Sequence, residues 1–504
     1  MSTFVAALGP WFGLSAVLCV VSALAALVAA WRGQAFRCAR LAYLASCAGA
    51  LSYWGAFFVR RVPPRYELTN PGPLSDFEVT LLCAGAAWLL LGVLLFGLGR
   101  KRWTVERAAF WLAITVLSGM YINVVRERHV FGDVFDFVNA AHAIARGLPL
   151  HERYLYPPLL ATLLAPLSPY GNVAIAITCL AATMLGVPLA FLLLHKALQR
   201  YGFSELTATL AAFAALCANT AVLRTLFYVQ TNLHVTNLML ISLLCYPSRR
   251  WGSALALALA AHIKTSPLAL VLPFVINRDW KWLAWFAFFA LGIIGFTSHL
   301  NGFHRYTEFL ENVSNIYRAN GITLRENSLD SLVRVTYWVF GIPLEAARTP
   351  ILVLRTLLCV LSLWLLSACW RRRSFSCAAA VSDETRVLDG YPVLMLFLMS
   401  VSPLVWEHHP VIILLSLLVP LKRLDDAADA LLWLAAWYLC FLVPTFDIYP
   451  FSFRILLGVA FAYTLLARIA RREPRPSVHF ARVQAALARL SHSSSSSAPP
   501  VSSK

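Results

Sequence analysis

Apolar blocks of about twenty residues, separated by short basic runs, recur along the chain and limit what it can fold into more than any other feature. At 1.5 Å rise per helical residue, each block matches the ~30 Å hydrocarbon core of a bilayer. Barrel strands would alternate apolar and polar residues over segments of about ten, a pattern the sequence lacks. Composition agrees, with 13% charged residues and a mean hydropathy of +0.69, against about 25% charged in a soluble globule. The expected fold is an all-α, polytopic transmembrane protein with about 13–15 membrane helices.

Spans are predicted at 6–31, 38–59, 77–98, 107–125, 172–196, 205–226, 231–247, 282–299, 349–370, 388–405, 408–421, 428–444 and 450–469, with an interrupted pair at 252–276. The first block is too long for a signal-peptide core and lacks a basic start, so it reads as a mature helix.

The net charge of +18 does not point to nucleic acid, because no basic domain interleaved with aromatics exists. Lys and Arg sit between the blocks, as in positive-inside loops. The runs at Arg32 to Arg40, Arg100 to Arg107, Lys196 and Arg200, Arg249 and Arg250, Arg278 and Lys281, Arg371 to Arg373, and Lys422 and Arg423 fall on one side. That side is cytoplasmic if the N-terminus is outside and the C-terminus inside, which predicts a multi-pass protein of the cell membrane. Arg60, Arg61 and Arg65 break the pattern. The tail after Arg468 is basic and then Ser/Pro-rich, which predicts a cytoplasmic surface helix with a disordered end. Eleven cysteines without a C-x-x-C pair read as small core residues.

Two long polar loops, at about 126–171 and 300–348, fall on the outer side. The first carries Asp133 and Asp136, either solvated surface groups or catalytic carboxylates. Tyr156-Pro157-Pro158 opens an apolar stretch too short to span, suited to the interface, where Tyr156 marks the boundary or packs on a ligand. Lys264 falls in the centre of the 252–276 block, between two halves each too short to span, and Ser266-Pro267 lets a helix break there. A cation at that depth lines a polar cavity or snorkels to an interface. Gln230 and Asn232 suit sugar hydroxyls or neighbouring helices. His408 and His409 follow Trp406-Glu407 at the outer end of a span. On a helix the two rings would face different sides, so one shared metal is not expected. No D-x-D element occurs, and no metal and no cofactor are expected.

These elements together resemble glycosyltransferase family 87. The resemblance rests on Asp133, Phe137, Ala140, Ala141, Arg146-Gly147, Tyr156-Pro157-Pro158 and Ala165-Pro166-Leu167. Gln230-Thr231-Asn232 follows, with Val229 where the family usually has glycine, and then Ile263 to Pro267, Asn327-Ser328 with Arg334, and Ser402 to His409. The resemblance implies a GT-C architecture and transfer of a hexose, commonly mannose, from a polyprenyl-phosphate sugar to a glycolipid or glycan acceptor beside the lipid bilayer. It implies Asp133 or Asp136 as the base, and Lys264, Arg334, His408, His409, Glu407, Gln230, Asn232 and Tyr156 as substrate contacts. The aspartate spacing favours Asp133, since Phe137 lies four residues on. Residues 106–470 form the expected catalytic domain, preceded by extra helices in 1–105 and followed by a tail at 471–504.

A transporter also uses broken helices near the midplane, but no self-similarity between halves is visible. A protein that handles lipid-linked glycans, or a noncatalytic assembly factor, are further readings; the second would not need Asp133, Lys264 and His409 on converging outer elements.

Overall fold

The computed structural model describes residues 133–217, 219–319, 326–372, 382–442 and 451–472, with isolated positions elsewhere. The four N-terminal predicted spans and the C-terminal tail lie outside these stretches. Every regular element among the described residues is helical, with no strand among them.

The first of the described stretches opens on α1 (Val134–Ala145), whose face of Val134, Phe137, Val138, Ala140 and Ala141 is buried. A loop leads to the short α2 (Leu159–Leu164) and a 3-10 turn over Ala165–Tyr170, the apolar segment predicted for the interface. Then come α3 (Asn172–Arg200), α4 (Glu205–Cys217), α5 (Thr220–Tyr228), α6 (Asn232–Cys245) and α7 (Arg250–Ile263). After the break at Lys264, a 3-10 turn (Ser266–Val271) and α8 (Leu272–Ile276) lead to α9 (Trp280–Asn301) and α10 (His304–Ala319). The remainder is α11 (Leu329–Val339), α12 (Arg348–Arg372), α13 (Asp383–Val401), α14 (Leu414–Leu418), α15 (Ala427–Phe441) and α16 (Arg454–Arg471).

Among the described residues, three segments are long and apolar enough to cross a bilayer: Asn172–Arg200, Trp280–Asn301 and Leu344–Arg372. The pair α4 and α5, bent by 55°, passes the same test when taken together as one broken span. Their lipid-facing character is plain in α9, where Trp285, Phe288, Leu291 and Phe296 are exposed while Trp282 and Thr297 are the buried residues. Soluble proteins do not leave so large an apolar face open. The predicted span at 408–421 is instead a 3-10 turn, the single-turn α14 and a second 3-10 turn, with Pro410 and Pro420 at their starts. Proline removes a helical hydrogen bond and clashes with the preceding turn, which explains the interruption.

The 252–276 block is a hairpin that enters and leaves at one end of the bundle. Arg250 at the start of α7 pairs with Asp279 at 3.0 Å, and Asp279 caps α9 through the Trp282 amide. Tyr246 at the end of α6 donates to the same carboxylate at 3.0 Å. α7 has 14 residues, about 21 Å at 1.5 Å per residue, so its far end stops inside the molecule. Lys264 sits at that apex in an extended conformation.

Candidate active site

The apex of the hairpin meets the start of α6. Lys264 Nζ donates to Asn232 Oδ1 at 2.8 Å, and Asn232 Nδ2 donates to the His408 carbonyl at 3.4 Å. The Thr225 hydroxyl, which donates to the Ala221 carbonyl at 2.8 Å, also lies 3.3 Å from the His408 carbonyl. Both side-chain groups of Asn232 are therefore committed to protein.

Gln230 lies two residues earlier, and its Oε1 accepts from the Tyr156 hydroxyl at 2.9 Å. Its buried Nε2 has no hydrogen-bond partner among the described residues. An unsatisfied buried donor is costly, so this amide is well suited to a ligand oxygen. The turn that presents it depends on Val229, which adopts the left-handed conformation with φ 54° and ψ 43°. Glycine reaches that region without strain, which gives a physical reason for the family's usual residue there.

Asp133 opens α1 and shares this site. Phe137, one turn on, packs edge-on against Tyr156 with ring centroids 5.1 Å apart. Burial pushes the Asp133 carboxyl up to about 7, the Asp136 carboxylate adds to the rise, and Lys264 opposes it. Asp136 acts on Asp133 and Tyr156 but also meets the loop that follows α1. Burial raises its carboxyl too, but His151 and Arg153 oppose that rise. The loop they occupy is clasped by α10, where Glu308 accepts from the Leu150 amide at 3.0 Å and Asn312 donates to the His151 carbonyl at 2.9 Å.

The two histidines are not on an α-helix as expected. They sit in the turn that starts the 3-10 segment, with ring centroids 4.7 Å apart. The Trp406 amide donates to His409 Nδ1 at 2.6 Å, which leaves the His409 proton on Nε2. Lys264 lies within electrostatic reach of both rings. Glu407 is held between Arg224 at 3.3 Å and Arg454 at 3.8 Å.

Arg334 joins a neighbouring cluster rather than the Lys264 centre. Its charge acts on Glu326 and Asp330, and Asp330 also pairs with Arg355 at 2.9 Å. The Asn327 amide ties this cluster to the site by donating to the Val405 carbonyl at 2.7 Å. Two residues escaped the sequence reading. Glu326 is a buried carboxyl pushed up to about 7 by burial, and its position just before Asn327-Ser328 was the available signal. Arg454 was visible as a cation at the end of an apolar block predicted to face outward, against the positive-inside pattern.

No curated protein matches the chain. The family model of glycosyltransferase family 87 matches residues 154–403, which include Tyr156, Gln230, Asn232, Lys264 and Arg334 but neither Asp133 and Asp136 nor Glu407, His408 and His409. Over that segment, which carries the broken hairpin and its asparagine partner, the chain belongs to glycosyltransferase family 87, and the protein is a membrane glycosyltransferase.

Proposed function

We propose that the protein transfers a hexosyl group, mannosyl by its resemblance, from a polyprenyl-phosphate sugar to a hydroxyl of a glycolipid or glycan. The reaction takes place on the outer face of the cell membrane. The observation that carries this reading is the meeting of Asp133, Lys264, Gln230 and Tyr156 at one end of a membrane bundle. Such a donor holds its chain in the bilayer and its phosphate at the surface, where a fixed cation can neutralise it.

In this reaction the acceptor hydroxyl attacks the anomeric carbon while the bond from that carbon to the phosphate oxygen breaks. Asp133 takes the acceptor proton, as a general base must when ionised and within hydrogen-bond reach. Lys264 faces the leaving phosphate. Gln230 Nε2 donates to a sugar oxygen, and Tyr156 holds the Gln230 amide in the orientation that frees that donor.

The test is transfer of label from a radiolabelled polyprenyl-phosphate hexose in membranes containing the protein. Label should pass to an acceptor in these membranes and not in membranes lacking the protein. Equal labelling in both, across hexosyl donors, overturns the reading.

A further inference from the structure

Glu407 stands at the head of a line of contacts that ends on Lys264. Its carboxylate lies between Arg224 of α5 and Arg454 of α16, 3.3 and 3.8 Å away, and both arginines are buried. These two arginines are 230 positions apart in the chain, so the carboxylate ties the 406–409 turn to two elements distant in sequence. The turn closes on itself as well, because the His409 amide donates to the Trp406 carbonyl at 3.0 Å. Held this way, the next residue presents its carbonyl inward, where it accepts from Asn232 and lies against the Thr225 hydroxyl.

That carbonyl decides which way the Asn232 amide points. A carbonyl can only accept, so it takes the NH2 group and leaves Oδ1 facing Lys264. The opposite orientation would set an NH2 donor against an ammonium and a carbonyl against a carbonyl. Asn232 is fully buried, so water cannot replace either partner without rearrangement.

We propose that Glu407 is a positioning residue for Lys264. Its carboxylate fixes the 406–409 turn, the His408 carbonyl orients Asn232, and Asn232 aims the Lys264 ammonium into the site. Its bearing on transfer rests on the function proposed above, but the relay itself can be read without any transfer.

The experiment uses the full chain in liposomes, pulsed with limiting acetic anhydride, and measures lysine acetylation by mass spectrometry. Lys422, which is fully buried and hydrogen-bonded to the Tyr201 and Phe375 carbonyls, serves as the reporter of general loosening. Glu407→Gln should raise Lys264 acetylation by roughly tenfold, the scale of a lost hydrogen bond to a charged group. Asn232→Leu should raise it similarly, the double variant should add nothing further, and Lys422 should not change. An unchanged Lys264 rate, additive effects in the double variant, or parallel rises at Lys264 and Lys422 overturn the proposal. Should Glu407→Gln fail to accumulate, Glu407→Asp, which keeps the charge but shortens the reach to Arg224 and Arg454, is read by the same criteria. With an active preparation, Glu407→Gln should raise the donor KM and leave the acceptor KM unchanged. If the wild type transfers no hexose, the functional reading fails while the acetylation result still decides the relay.

Discussion

Lys264 Nζ and Asn232 Oδ1 lie 2.8 Å apart, joining the apex of a broken hairpin to the first residue of α6. The contact places the ammonium of a mid-block lysine beside Asp133 and the 408–409 turn rather than at a distant interface.

Lys264→Ala should abolish transfer while the protein still inserts and accumulates. Lys264→Arg should keep part of the activity, because the charge survives but the compact ammonium does not fit a planar guanidinium's geometry. Initial rates in membranes with matched protein levels check this, and a wild-type rate in Lys264→Ala removes the lysine from the reaction.

Asp133→Asn should lower turnover by about 10²–10⁴-fold, the usual range for loss of a general base. Asp136→Asn should lose clearly less, since that carboxylate faces His151 and Arg153. The comparison needs saturating donor. A larger loss in Asp136→Asn would reverse the two roles.

The pH profile should carry an acid limb near 7. Burial raises the Asp133 carboxyl to about 7, and a base works only when ionised, so the rate rises with pH on approaching that value. An ordinary aspartate, near 3.9, would leave the profile flat across that range. The residual activity of Asp133→Asn should lose the limb, and a limb that persists there belongs to another group.

Tyr156→Phe and Gln230→Leu should not be additive. The hydroxyl and the amide form one 2.9 Å pair, so removing either disrupts the same contact. Each should lower kcat/KM by roughly tenfold, the scale of one buried hydrogen bond. Losses that multiply in the double variant would show that the two side chains act separately.

Reporter fusions at Arg250 should report cytoplasm, and fusions at His151 should report the outside. The prediction rests on the basic runs together with the Arg250–Asp279 pair, which puts both ends of the hairpin at one end of the bundle. A cytoplasmic signal at His151 would put the site on the wrong face.

The amino-acid sequence by itself determined the all-α membrane class, because apolar blocks and basic loops are properties of contiguous segments. It also placed the break at Lys264, since Ser266-Pro267 acts on the backbone within one turn. The order of the family's motifs was legible for the same reason. Tertiary structure alone decided what those motifs touch. Lys264 and Asn232 are 32 residues apart, Arg224 and Glu407 are 183 apart, and nothing local to either segment dictates the meeting. The left-handed turn at Val229 is a case of local preference overridden, because packing around Gln230 holds a β-branched residue where its own sterics disfavour it. The unequal surroundings of Asp133 and Asp136 were likewise settled in three dimensions. Successive helical residues turn by about 100°, so two carboxylates three positions apart lie on neighbouring faces, and only the elements packed against each face separate Lys264 from His151 and Arg153.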